Sequence, residues 1–315
     1  MESILSANNL TFRYDSRKPD GVLDIDFELK AGQILALLGP SGSGKTTLLK
    51  LLSGELEPQS GHIERKSNLK LGFVKQRIEK LDSDTVYDFL FKSLSSIEEE
   101  IKRENQIRSV LSQLDLTNEI YSTLDCLSGG QLQRVSIAAA LAKNPQILFF
   151  DEPFANLDWS LKEDLLQEVL PIIKERGISV IWTTHHYQEV FPHADEILLI
   201  NSGEIQAKAT PQDLYFKPQN IFTALYFGKN NVLPGSFFQE KAELVVLRPC
   251  DIEVSLKPLP SYIQGLVLKS ENYGAYSLWN VQVKDQELWV QVQPHLTTES
   301  IVYLNWDSRK LHLLG

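Results

Sequence analysis

Residues 37–49 read LLGPSGSGKTTLL. Apolar residues run into a glycine-rich break, which ends in a lysine and two threonines before apolar residues resume. Gly39, Gly44, Lys45 and Thr46 fit the spacing G-x-x-x-x-G-K-[ST], behind the strand-like QILALL (33–38) and ahead of the helix-like TTLLKLLSG (46–54). Glycines let backbone N–H groups converge on phosphate oxygens, and the helix start adds positive partial charge. Lys45 is placed to reach the β- and γ-phosphates, and the Thr46 hydroxyl to ligate Mg²⁺. Alone, this loop leaves kinases, GTPases and motor ATPases open.

Short apolar runs recur on either side of it up to about residue 210. QILALLG (33–39), KLGFVKQ (70–76), QILFFDEP (146–153), ISVIWTTH (178–185) and EILLINSG (196–203) read as buried strands. They alternate with helical patterns, so the expectation is an α/β fold with a largely parallel sheet. Between them, residues 95–114 carry Ile97, Ile101, Ile107, Val110, Leu111 and Leu114 at helical spacing. A second helix over 160–177 opens on Ser160 and Glu163, a capping-box pair, and stops at Gly177. NSG (201–203) followed by EIQAKA predicts a closing hairpin. From about residue 235 the period changes to two in ELVVLR, GLVLKS, YSLWNVQVK and ELWVQVQ, which predicts a small antiparallel β domain with Trp279, Trp289 and Trp306 as core residues.

The second half of the α/β region narrows the chemistry. ILFFDEP presents Asp151 and Glu152 at the tip of an apolar strand. Asp151 suits the surroundings of Mg²⁺, and Glu152 suits accepting a proton from water attacking a γ-phosphate.

A formal charge of −10 over 315 residues argues against a general nucleic-acid or anionic-membrane binder. The two cysteines, Cys126 and Cys250, have no metal-ligand spacing and read as reduced thiols suited to a cytosol. The start MESILSANNL does not read as a signal peptide, and no apolar run reaches the roughly 18 residues a membrane helix needs. Any membrane role is expected to come through a partner.

LSGGQ (127–131) places Ser128, Gly129, Gly130 and Gln131 before another helical pattern that ends near Asn144 and Pro145. It reads as a second anion-binding helix start, without a lysine of its own. The pair of sites resembles the ATP-binding cassette (ABC) family, in which LSGGQ is the signature and two cassettes face head to tail, each closing the other's ATP. The resemblance implies a cassette over 1–232, with a helical subdomain at about 78–143. It implies that Gly39, Pro40, Ser41, Gly42, Ser43, Gly44, Lys45, Thr46 and Thr47 cradle ATP, with Ser128, Gly129, Gly130 and Gln131 completing the partner's site. Tyr14 is similar to the family's adenine-stacking aromatic. Gln76 resembles the glutamine that approaches Mg²⁺ and the attacking water, and Asp158 the acidic residue of the loop touching the partner subunit. His185 resembles the histidine that holds the γ-phosphate and orients the catalytic Glu152. His186 stands where many relatives have aspartate, and Ala139 where arginine is common.

The implied rival is a soluble ABC ATPase not coupled to transport, in DNA repair or translation. The gap between loop and signature is too short for a repair-type coiled coil, and translation types carry two cassettes per chain. Residues 233–315 are similar to the regulatory, oligonucleotide/oligosaccharide-binding (TOBE-like) domain of bacterial importer ATPases. That implies a homodimeric ATPase beneath two permease subunits, served by a solute-binding protein, on the inner face of the membrane. Ferric iron or a polyamine is the preferred solute; sulfate, molybdate, a quaternary amine or a sugar are the alternatives.

Overall fold

The computed structural model describes residues 2–15, 21–74, 84–95, 97–155, 157–296 and 300–314. The chain divides into two compact units, residues 1–211 and 212–315.

In the first unit, β1 (Ser3–Arg13), β2 (Gly21–Lys30) and β4 (Ser60–Arg65) form an antiparallel sheet in the order β2-β1-β4. A six-stranded sheet takes the order β5-β6-β7-β3-β8-β9, from β3 (Ile34–Leu38), β5 (Leu71–Val74), β6 (Ile147–Asp151), β7 (Ser179–Thr184), β8 (Glu196–Asn201) and β9 (Glu204–Ala209). It is parallel except for the final β8–β9 hairpin, which turns at Ser202 and Gly203. All six residues of β7 are buried, as are four of five in both β3 and β6. Both faces of the sheet are therefore covered, which explains why these strands read as continuous apolar runs rather than alternating ones.

Helix α1 (Lys45–Ser53) buries Leu48, Leu49, Leu51 and Leu52 in one core with Leu10, Ile25 and Leu29 of the small sheet and Leu35, Phe149 and Ile181 of the large one. At about 1.5–3 kcal/mol per buried Leu side chain, this helix joins the two sheets and fixes the loop before it. Helices α2 (Val86–Ser93), α3 (Glu100–Gln113) and α4 (Gly129–Ala142) pack on one another. Of the expected stripe on α3, Ile107, Val110 and Leu111 are buried, and Leu114 at its C-cap is buried with them. Ile101 is 77% exposed, because it falls in the first turn before the buried stripe begins. Helix α5 (Trp159–Glu175) also starts earlier than expected. Its cap is the Asp158 carboxylate, which accepts the Leu161 N–H at 2.9 Å, in place of the Ser160–Glu163 pair. The short α6 (Tyr187–Val190) follows β7.

The second unit opens with α7 (Pro211–Phe216) and α8 (Ile221–Tyr226). Strands β10 (Asn231–Pro234), β11 (Leu244–Leu247) and β17 (His312–Leu314) form one antiparallel sheet. Strands β12 (Ile252–Ser255), β13 (Ile263–Asn272), β14 (Ser277–Val283), β15 (Gln286–Val292) and β16 (Ile301–Trp306) form another, in the order β12-β16-β13-β14-β15. Its core holds Trp279, Val281, Leu288, Val290, Val302 and Leu304, with Trp306 packed against it. Trp289 differs from the expectation. It lies on the opposite alternation from Leu288 and Val290, and the Lys229 ammonium sits 3.5 Å from its ring centroid. Residues 212–232, expected to close the first domain, belong to this second unit. The Asn231 side chain exchanges hydrogen bonds with the Trp289 backbone, and buried Arg248 donates to the carbonyls of Tyr215 and Ala224.

Candidate active site

The glycine loop leaves β3 at Leu38 and turns into α1 under tight steric limits. A Cβ on Gly39 would lie 2.1 Å from the Ile200 carbonyl oxygen. Gly44, the α1 N-cap, has φ +106°, and a Cβ there would lie 2.5 Å from the Gly21 carbonyl oxygen. No side chain caps this helix start. Its N-terminal N–H groups carry the positive end of the helix dipole. Lys45 is 5% exposed and donates to the carbonyls of Gly39 and Pro40, both at 2.9 Å, so its ammonium lies inside the loop. Burial pushes that ammonium below the ordinary lysine range, while the Glu152 and Asp151 carboxylates act in the opposite direction. Tyr14, Gly21, Ser41, Gly42, Ser43, Gly44, Lys45, Thr46, Thr47 and Glu152 line one cleft of about 390 Å³. Tyr14 is 56% exposed at its rim, with its ring edge-on to Phe12.

The acidic side of the site is built by the sheet register. Pairing of β6 with β7 sets Asp151 opposite Thr183. The Thr183 hydroxyl contacts Asp151 Oδ1 at 3.0 Å and accepts the Glu152 N–H at 3.1 Å. Glu152 needs that anchor, because its φ of +46° is a left-handed conformation that costs a non-glycine residue free energy. The Thr46 hydroxyl reaches Asp151 Oδ1 at 3.3 Å. This hydroxyl–carboxylate pair is a hard-oxygen set suited to Mg²⁺, which takes few protein ligands and completes its shell with phosphate and water. Among the described residues no cluster of three His, Cys, Asp or Glu side chains could hold a metal. His185 Nδ1 lies 3.4 Å from Glu152 Oε1, and its ring is 3.9 Å from that of His186.

The loop, Tyr14, Asp151, Glu152 and His185 thus come together within one chain. The signature does not join them. Ser128, Gly129, Gly130 and Gln131 are absent from the lining of the cleft. Ser128 caps α4 in a capping box with Gln131, the side chain of each accepting the other's N–H. Asp158 is occupied as the cap of α5. Gln76 lies outside the described residues, and Ala139 is buried in α4. Thr183 is the site residue that reading the sequence missed. Its signal is slight: a hydroxyl at the polar end of an apolar strand.

Residues 22–155 match the family model described as ABC transporter. The spermidine/putrescine import ATP-binding protein PotA of Acetivibrio thermocellus is 30% identical over 347 residues, covering 99% of this chain and 96% of the relative. The sulfate/thiosulfate import ATP-binding protein CysA of Synechococcus elongatus is 33% identical over 282 residues, covering 84% and 80%. Among solved structures, cbiO1 from Clostridium perfringens, part of the ABC transporter complex cbiONQ, superposes with a TM-score of 0.62 at 27% identity over 68% of this chain and 91% of that one. The chain therefore belongs to the ABC transporter family, as one of its ATP-binding ATPases.

Proposed function

We infer that the chain is the ATP-hydrolysing subunit of a binding-protein-dependent importer, working as a head-to-tail homodimer beneath two permease subunits. The observation that carries the catalytic reading is the convergence of Lys45, Thr46, Asp151, Glu152 and His185 on the start of α1. Residues 39–47 hold the phosphates, and Tyr14 stacks on the base. Lys45 offsets the β/γ charge. Thr46 and Asp151, with Gln76, hold Mg²⁺, which when bound neutralises charge on the transferring phosphoryl group. Glu152 takes the proton of the attacking water. With its Nδ1 protonated, His185 donates to the Glu152 carboxylate and keeps it aimed at the attacking water. Ser128, Gly129, Gly130, Gln131 and Asp158 serve the partner's nucleotide. Differential ATP affinity between open and closed dimers supplies the motion.

Residues 233–315 act as a TOBE-like regulatory domain. The chain sits on the inner face of the membrane through its permease partners; no described helix is long and apolar enough to cross a membrane. For the solute we favour a polyamine. Relatives named as spermidine/putrescine import proteins align over 96–98% of their length, against 80–81% for those named for sulfate/thiosulfate or Fe(3+). Co-purification of the permease partners, followed by ATP turnover with each solute-loaded binding protein, tests this. Stimulation by a polyamine-loaded protein alone is expected; stimulation by a ferric or sulfate-loaded one moves the assignment.

A further inference from the structure

Behind His185 lies a buried ion pair that the hydrolysis reading leaves without a task. Glu189 on α6 is 5% exposed, and its carboxylate accepts from Lys162 of α5, whose side chain is 11% exposed. Its second oxygen accepts the Thr184 hydroxyl at 2.7 Å. The Thr184 oxygen in turn accepts the His186 N–H at 3.1 Å, and the Glu189 N–H donates back to the His186 carbonyl at 3.1 Å. His185 is therefore flanked by Thr184, whose hydroxyl is held by the Glu189 carboxylate, and by His186, whose backbone is held by that hydroxyl and by the Glu189 N–H. On the other side, the Lys162 N–H donates to the Asp158 carbonyl, one turn into the helix that Asp158 caps.

A buried ion pair is a weak source of net stability, since desolvation offsets its attraction. Its geometric consequence here is specific. We propose that Glu189, charged and held by Lys162, is a positioning residue for ATP hydrolysis: it fixes the 184–186 turn so that His185 Nδ1 stays on Glu152, and it ties that turn to the start of α5. This rests on the reading of Glu152 as base and His185 as its orienting partner.

The test uses the full chain and separates turnover from nucleotide affinity. Glu189→Gln and Lys162→Met are each expected to lower kcat on the order of 10- to 100-fold, the scale of a misplaced catalytic group. ATP affinity should stay within about twofold, and Lys162→Arg should restore kcat. The pair K162M/E189L removes both charges, so Tm should return toward the parent value while kcat stays low. In a His185→Ala background, Glu189→Gln should cost nothing further, because both act at one place. If kcat recovers with Tm in K162M/E189L, or if the Glu189 and His185 losses multiply, the proposal is overturned. A His185→Ala enzyme with parental kcat would instead overturn the His185 reading on which it rests.

Discussion

Two helices of the first unit start on glycine-rich turns, and the chain finishes them in opposite ways. At α4, Ser128 and Gln131 close a reciprocal capping box, and Ser128 and Gly129 are exposed. At α1, Gly44 supplies no side-chain cap, and the helix start faces a cleft beside a buried lysine. Orphan N–H groups at a helix start must find partners. The α4 start finds two of them within the chain, whereas the α1 start is shaped for an anion brought from outside. The difference explains how one sequence can carry two phosphate-type helix starts and yet, as a monomer, only one finished site.

The largest effect that probes this contrast concerns chemistry at the α1 site. Glu152→Gln retains a hydrogen-bonding group but cannot take a proton. Turnover should fall on the order of 10²- to 10⁴-fold while ATP binding persists, measured by phosphate release and equilibrium binding. Near-normal hydrolysis would remove Glu152 from the base role.

A pair of glycine substitutions tests the two helix starts directly. Gly44→Ala forces a Cβ to 2.5 Å from the Gly21 carbonyl at φ +106°. Strain of about 1–3 kcal/mol should lower both Tm and ATP affinity of the monomer. At Gly130 an added Cβ meets only the Leu161 methyls at 3.8 Å, and alanine is favoured over glycine in a helix by about 1 kcal/mol. Gly130→Ala should therefore leave monomer affinity and Tm at or above the parent values. Equal losses in the two variants would erase the distinction drawn between the sites.

Ser128→Arg sharpens the same point. The substitution removes a cap, at a cost of about 0.5–2 kcal/mol, and puts a cation where the partner's phosphate is expected. Monomer ATP affinity should remain, while ATP-dependent dimerisation in a Glu152→Gln background should vanish by sedimentation. Loss of monomer binding would show that Ser128 serves its own chain's nucleotide.

Local order made much of this legible. The loop, the Asp-Glu strand tip and the signature are short runs whose residue types and spacing carry their own chemistry, and the buried strands announce themselves as unbroken apolar runs. What escaped notice depends on register between distant strands and helices. Thr183 matters only because β6 and β7 align it with Asp151, and Glu189 only because the fold brings to it Lys162, 27 residues earlier on another helix. The resemblance gives Asp158 a partner contact, and the fold adds a second role that the sequence does not show, the cap of α5. The role of 212–232 was also invisible. Asn231 and Tyr215 look like ordinary linker residues until the backbone of Trp289 and the guanidinium of Arg248 meet them.

The smallest expected effect follows from that last point. All the residues lining the cleft precede 153, and the core cluster around α1 extends no further than Ile205. A chain ended after Pro211 should thus fold and bind Mg-ATP within about twofold of full length, a few tenths of a kcal/mol. A chain ended after Asn231 should bind as well but behave worse. It keeps Ala224, which is buried in a cluster with Val246 and Leu314 of the second unit, and it keeps Tyr215 and Ala224 carbonyls that have lost Arg248. Uncovered apolar surface promotes association, so light scattering should rise for residues 1–231 and not for residues 1–211. Matching affinities with this difference in association would place the functional boundary where the compact units divide. A 1–211 chain that folds but loses nucleotide would mean that the second unit completes the α1 site, and the contrast between the two helix starts would need a third contributor.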